Sequence, residues 1–410
     1  FAFNHSLLIN GAIQYYIFSG DRAALEIAQT TADWHLRNLT PSNWVAPHLP
    51  PSVVKYLPDG TWVGEEWGLE PDKSAYMGLS LLRLYAVTGQ DRYLQGAKNI
   101  AQTLRQFQRE DGSWPFRINT RTGEVKEGYT CSQLWYVWFF EQLAELTGNK
   151  EDLERKEKAL QWILKNPVRD NRWIGLYGDV TGGLESYDQW VALETAMYLL
   201  DHEDEILGAV QIAEEIIDWV ERTLVVNYGL HPRVPGLVEQ SAYRVVLTHH
   251  QLRYAEAYAK IYEATGKESY KRTAMEIANS VTWCLMSDGK LRLGFWHDAH
   301  NVPMVLCFNQ QFSRIMSCIP ETAPNSENHI LRNSAFIREA VYSPNGIRYE
   351  TVGPGEEYLK VYKKPGTIFV DGAPLPRLEK WGYREEGWWY DESSHLLKVA
   401  HRRTRIKINF

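Results

Sequence analysis

Ala75-Tyr76-Met77-Gly78-Leu79-Ser80-Leu81-Leu82-Arg83-Leu84-Tyr85 is apolar on nearly every side. It runs through Thr88-Gly89-Gln90-Asp91 into a segment where Tyr93, Leu94, Ala97, Ile100, Ala101 and Leu104 recur at helical spacing between charges. A helix that is apolar all round is buried on most sides, whereas an amphipathic one buries a single stripe. Gly89 supplies the left-handed residue that stops the first helix, and Asp91 sits where the next helix needs its N-cap. The stretch reads as an interior helix, a tight turn and an exterior helix.

The same unit recurs along the chain. Its other turns are Ser19-Gly20-Asp21, Thr147-Gly148-Asn149, Asp201-His202-Glu203-Asp204 and Thr265-Gly266-Lys267. Self-similarity at such spacing decides the architecture before any motif does. Interior helices are expected at 5–18, 73–87, 130–146, 187–200, 243–264 and 303–318, and exterior ones at 22–37, 91–107, 151–165, 204–222 and 268–284. Six interior helices alternating with exterior ones close into an (α/α)6 toroid; five exterior helices are visible, which leaves room for a twelfth before Phe1. The fold class is therefore mainly α, with the toroid over 1–325.

From about Ala335 the pattern changes to short alternating runs. Ile337–Tyr342 and Ile347–Thr351 flank Asn345-Gly346, a hairpin signal. Tyr358–Tyr362, Thr367–Val370 before Asp371-Gly372, Trp388–Tyr390, Leu396–Ala400 and Arg405–Ile408 continue it. Residues 335–410 read as a small antiparallel β domain with too little core of its own, expected to dock on the toroid.

The bulk composition bounds the function. A net charge of −7 does not favour a nucleic-acid partner. No apolar run is long enough to span a bilayer. Cys131, Cys284, Cys307 and Cys318 show no CxxC spacing and read as buried thiols, with no metal expected. No motif calls for a cofactor. Compartment and oligomeric state are not legible. The chain is rich in rings, with 16 Trp and 23 Tyr, many of them between helices: Trp44, Trp62, Trp67, Trp114, Trp173, Tyr177 and Trp296. Flat rings with polar edges suit the C–H faces of sugars; singly, each more often caps a wide core, but as a set on loops that share one face they lean toward sugar.

Chemistry should lie where the long exterior-to-interior connections emerge, at the leading ends of the interior helices. Aligned on their closing turns, those ends carry Asn4-His5-Ser6, Asp72-Lys73-Ser74, Cys131-Ser132-Gln133, Ser186-Tyr187-Asp188, His249-His250-Gln251 and Asn309-Gln310-Gln311. Buried polar groups need partners, water or a ligand. The connections add Glu70, Tyr129, Asp179, Arg117, Arg244 and His297. Some of these have plainer uses: Asp72 and Ser186 stand where caps belong, Asp188 suits a first-turn acid facing a helix dipole, and loop arginines are usually solvated or ion-paired.

Beyond the helix pairs, the Thr-Gly turns and the small β terminus, Gln108-Arg109-Glu110-Asp111-Gly112-Ser113-Trp114-Pro115 completes a pattern that resembles the six-hairpin glycosidase and polysaccharide lyase superfamily over about residues 1–320. The resemblance implies an acid/base pair at the mouth of the toroid acting on glycans, several of them uronic. Asp72 in Glu70-Pro71-Asp72-Lys73 resembles the acid that unsaturated-uronyl hydrolases carry at their second interior helix. Their second acid has no counterpart in Tyr129-Thr130-Cys131-Ser132-Gln133. The leading expectation is a glycoside hydrolase for an anionic oligo- or polysaccharide. Asp72 and Asp188 would be its acid and base, and His5, Trp67, Glu70, Lys73, Trp114, Arg117, Tyr129, Gln133, Trp173, Asp179, Arg244, Trp296 and His297 would hold substrate. The alternatives are a lyase using Tyr187, His249 and His250 for β-elimination, and a non-catalytic glycan-binding protein.

Overall fold

The computed structural model describes all residues except Phe1, 53–54, 57–61, 64–67, 178–184, 228–233, 289, 295–300, 303–307 and 383–384. Eleven α-helices are found among the described residues. The interior ones are α1 (Ala2–Ser19), α3 (Pro71–Thr88), α5 (Leu134–Thr147), α7 (Trp190–Asp201), α9 (Thr248–Thr265) and α11 (Asn309–Cys318). Between them lie the exterior α2 (Arg22–Arg37), α4 (Asp91–Phe107), α6 (Lys150–Ile163), α8 (Ala209–Leu224) and α10 (Glu268–Thr282). Each interior helix packs on the next, and α11 returns to α1, so the ring closes.

Sequence chemistry explains the elements. Gly20, Gly89, Gly148 and Gly266 take φ of 75°, 69°, 72° and 67° at the interior-to-exterior turns, a region nearly closed to residues with a Cβ. Asp21 and Asn149 cap α2 and α6 through their side chains. Gly78 has a different purpose: a Cβ there would stand 2.5 Å from the Phe139 ring, so its absence lets α3 and α5 approach. Each large apolar side chain sealed between the two helix layers contributes roughly 1.5–3 kcal/mol.

The interior helices are unequal. α1, α3 and α9 have 18 residues, α5 has 14 and α7 has 12. The segments expected to open helices at 130 and 187 are therefore still loop, and α9 starts at Thr248 instead of 243. The long connections carry hairpins where plain loops were expected: β1 (Lys55–Tyr56) with β2 (Trp62–Val63), β3 (Arg117–Ile118) with β4 (Val125–Glu127), β5 (Val225–Val226) with β6 (Gly236–Leu237), and β7 (Leu291–Arg292) with β8 (Asn301–Val302). Isolated bridges Leu69↔Ile118, Asp188↔Gln240 and Leu247↔Gly294 tie one connection to the next, the Cys131 N–H joins another pair by donating to the Ile174 carbonyl at 2.8 Å, and Ile174↔Tyr187 closes one connection on itself. The connections thus gather at one end of the ring as a continuous collar.

The opposite end is closed by β structure that begins at β9 (His329–Asn333), before the expected boundary at 335. Two antiparallel sheets form. One orders β10 (Ile337–Ser343), β11 (Gly346–Thr351), β17 (Arg405–Asn409), β13 (Thr367–Val370) and β14 (Ala373–Pro374). The other orders β15 (Gly387–Asp391), β16 (Leu396–His401), β12 (Gly355–Lys360) and β9. Asp371 and Gly372 both take positive φ between β13 and β14, as their sequence signals. The other hairpin turns on Pro344-Asn345; Gly346 pairs with Ser343 in the strands, where a Cβ would meet the Ile408 carbonyl at 2.2 Å. The β region grips the last turn of α1. Tyr16 donates to the Arg338 carbonyl at 3.3 Å, Tyr342 donates to the Ile17 carbonyl, and His329 stacks on Phe18 at 3.8 Å.

A ladder of ion pairs runs down the helices from the collar end to this seal. Arg253 pairs with Glu194 (3.0 Å) and Glu256 (2.7 Å), and Arg314 with Glu256 (3.3 Å) and Asp201 (3.9 Å). Lys260 pairs with Asp201 (2.7 Å) and Glu263 (2.8 Å), and Arg332 of β9 closes on Glu263 at 2.6 Å.

Candidate functional site

The leading ends of the interior helices meet inside the collar. At α3, Pro71 occupies the first helical turn, where its missing N–H costs nothing. Asp72 follows, fully buried. One of its oxygens accepts the Lys73 backbone N–H at 2.8 Å; the other accepts the Lys73 ammonium at 2.8 Å and the Ser132 hydroxyl. The ammonium also donates to the Leu176 carbonyl at 2.6 Å and lies 3.4 Å from Glu70. Glu70 is held by Arg117 at 3.2 Å, and Arg117 also donates to Glu127. Burial raises the Asp72 carboxyl above its usual range against the pull of Lys73. Burial alone would lower Lys73, but Asp72 and Glu70 outweigh it and hold it above. Glu70, Asp72, Lys73 and Arg117 form one internally neutralised cluster.

Because α5 and α7 start late, the polar residues before them serve their loops. The Gln133 amide oxygen accepts the Trp114 N–H at 2.8 Å, while its nitrogen donates to the carbonyls of Trp114 (3.0 Å) and Thr130 (3.1 Å). Trp114 stacks on Tyr136 at 4.2 Å and is wholly buried, as is Trp173. Tyr129 donates to the Arg172 carbonyl at 2.8 Å, beneath the Arg172 guanidinium. Asp188 accepts the N–H groups of Trp190 and Val191, each at 2.9 Å, and so caps α7. Burial pushes its carboxyl up to about 7 against those two bonds. Tyr187 is half-buried, edge-on to Trp219 at 5.6 Å.

At α9 the adjacent histidines diverge. Nδ1 of His250 is bonded to the Gln189 amide. Nδ1 of His249 is buried without a hydrogen-bond partner, although the ring as a whole is partly exposed. The His249 ring lies 5.7 Å from Phe308 and 5.9 Å from Trp190. Burial, aided by the Arg253 charge one turn deeper, lowers His249 to about 3, and burial likewise holds His250 well below its usual value. Both imidazoles are neutral near pH 7, and Nδ1 of His249 is the buried ring nitrogen left unbonded.

Beneath them lies a floor of rings not singled out from sequence. Trp135 of α5 stacks against Phe3 of α1 at 5.1 Å and Tyr76 of α3 at 4.9 Å, while Trp190 of α7 meets Phe3 edge-on at 5.7 Å and carries the Arg253 guanidinium at 4.5 Å. A signal was present: each ring falls in the first two turns of an interior helix.

Other expected residues lie elsewhere. His5 turns to the exterior helix, where it bonds His35 at 2.8 Å and meets Trp34 edge-on. Arg244 is exposed. Trp67, Asp179, Trp296 and His297 fall outside the described residues. Among the described residues, no three His, Cys, Asp or Glu side chains gather as metal ligands.

Solved structures share this arrangement of helix hairpins. A sugar epimerase from a ruminal bacterium superposes with a TM-score of 0.57 at 13% identity, over 79% of this chain and 88% of its own. The cellobiose 2-epimerase of Spirochaeta thermophila gives 0.57 at 13%, over 78% and 86%. A D-mannose isomerase gives 0.57 at 13%, over 76% and 86%. The shared fold is an α/α toroid of helix hairpins. No protein-family model matches the sequence, and no curated protein matches it either. Both histidines stand at the collar end, opposite the end that the β strands close.

Proposed function

We propose that this chain is a carbohydrate-active enzyme that moves a proton on a carbon beside a sugar carbonyl, as an epimerase or isomerase does, with His249 as the base. One observation carries the reading: His249 is a neutral, partly exposed imidazole at the collar end of the toroid, above an aromatic floor, with its buried Nδ1 unbonded, while both candidate carboxylates are fully buried and bonded. The base would take the proton from the carbon next to the carbonyl and leave an enediolate. Its return to the opposite face gives an epimer; its return to the neighbouring carbon gives an isomer. That superposable proteins are a sugar epimerase, a cellobiose 2-epimerase and a mannose isomerase supports the choice. An uncharged sugar fits better than an anionic one, because Lys73 and Arg117 are already neutralised by Asp72, Glu70 and Glu127. The test is NMR in D2O with mannose, glucose and cellobiose. Deuterium should enter at C2 of an epimer or at C1 of a ketose, and His249→Gln should stop both. Turnover without exchange refutes the proposal.

A second reading keeps the hydrolysis of a uronic acid-containing glycan, with Asp72 and Asp188 as acid and base. The Asp188 carboxyl near 7 favours it, since a general acid works best when its pKa lies close to the working pH. Reducing ends released from uronic oligosaccharides, and lost in Asp188→Asn, would establish this reading over the first. Growth of ultraviolet absorbance on the same substrates would indicate elimination instead.

A further inference from the structure

Two helical turns beneath the aromatic floor the interior becomes polar again. Asn10, Arg83 and Gln142 stand seven residues after Phe3, Tyr76 and Trp135, on the same helix faces and about 10 Å deeper. With Gln310 and Arg314 of α11 and Arg332 of β9 they line a chamber of about 140 Å³ between the toroid and its β seal. Neither amide atom of Asn10 has a partner, although the residue is only 3% exposed, and the amide oxygen of Gln142 is likewise buried and unbonded. Such orphaned groups lining a recess are uncommon in folded proteins and point to something that fills it.

The charges around the chamber do not close. Four carboxylates, Glu194, Glu256, Asp201 and Glu263, pair with four cations, Arg253, Arg314, Lys260 and Arg332. Arg83, partly exposed, lines this space beside Arg314 and Arg332, and among the described residues it belongs to none of the ion pairs. A guanidinium does not shed its proton in a protein, so it stays charged and calls for a counter-charge.

We infer that the chamber is a binding site for one small monovalent inorganic anion, of chloride size, held by Arg83 and the Asn10 amide. One such charge balances the surplus cation, and an amide N–H donor completes its shell. Burial, and the neighbouring Arg314 charge, depress the Arg83 guanidinium, the direction expected of a cation without its counter-ion. The site seals the toroid against its β region, so an ion there ties the two together. It is separate from the sugar chemistry proposed at the other end.

The probe is sodium chloride, titrated against sodium acetate at constant ionic strength after exhaustive dialysis into acetate. Chloride at 100 mM should raise the Tm of the wild-type chain by about 3 °C and broaden the chloride-35 NMR line. Arg83→Met removes the surplus charge and should abolish both effects. Asn10→Asp supplies a fixed carboxylate beside Arg83; it should melt higher than the wild type in acetate and no longer respond to chloride. Equal melting of the wild type in the two salts, or the full chloride shift persisting in Arg83→Met, overturns the inference.

Discussion

The start of α3 and the start of α9 look alike in sequence: each sets adjacent titratable residues at the head of a buried helix. In the structure they are opposites. Around α3 every charge is matched, since Asp72, Glu70, Lys73 and Arg117 bond one another and Ser132 fills in. At α9 only His250 is engaged, and His249 keeps a bare nitrogen. The difference teaches that a polar ring at helix tips is no guide to chemistry by itself. What separates a scaffold from a site is whether each polar atom is already bonded.

The largest expected effect tests the α9 side. Replacing His249 by Gln should lower kcat about 10²–10⁴-fold, the usual worth of a general base, with circular dichroism unchanged. A variant as active as the wild type would put the two regions on the same footing. The next tests the α3 side by stability. Asp72→Asn leaves Lys73 charged and buried beside Glu70 alone, and should cost about 3–5 kcal/mol in urea unfolding. The Asp72→Asn, Lys73→Met double variant should recover much of that loss, because it removes the stranded charge along with its partner. No recovery would mean that the cluster is not the closed unit described.

A pH experiment sharpens the contrast. His249 titrates near 3 in the folded chain against about 6.5 unfolded, so between those values the unfolded state binds more protons. Its contribution to stability is present above about 6.5 and falls as the pH drops toward 3. Stability measured from pH 7 to 4 should therefore decline less steeply in His249→Gln. The sign reverses for His401, buried in the β region. Burial would lower it, but its bond to Glu357 at 2.9 Å outweighs burial and raises it. The stability it contributes is full below about 6.5 and is lost as the pH rises through its folded value. His401→Gln should cost on the order of 1 kcal/mol at pH 6 and less at pH 9, the smallest of these effects.

The toroid was legible because its signals are local: a helix apolar all round, a glycine stop and an amphipathic return leave a period that survives without knowledge of contacts. The exterior α2 and α4 match their expected bounds, and the strands from Ile337 onward follow their alternation. Helix starts were less legible. Aligning helices on their closing turns assumes equal lengths, and α5 and α7 are shorter, so Gln133 and Asp188 became loop clamp and cap. Partners across the fold cannot be read from spacing either. Nothing in Asn4-His5-Ser6 says that His5 faces α2, and nothing in Lys73 says that Leu176, about a hundred residues on, will accept its hydrogen bond. The aromatic floor was missed because rings in apolar helices look like ordinary core.

The collar of single bridges at the heads of the interior helices has a mechanical consequence. Leu69 to Ile118, Ile174 to Tyr187, Asp188 to Gln240 and Leu247 to Gly294 are stitches one residue pair long. A hem sewn so sparsely lets any one panel be lengthened or recut without unravelling the garment, yet a tug on one panel shifts its neighbours. A fold edged in this way can retailor what it grasps by altering the fabric between stitches while the rods behind stay as they are.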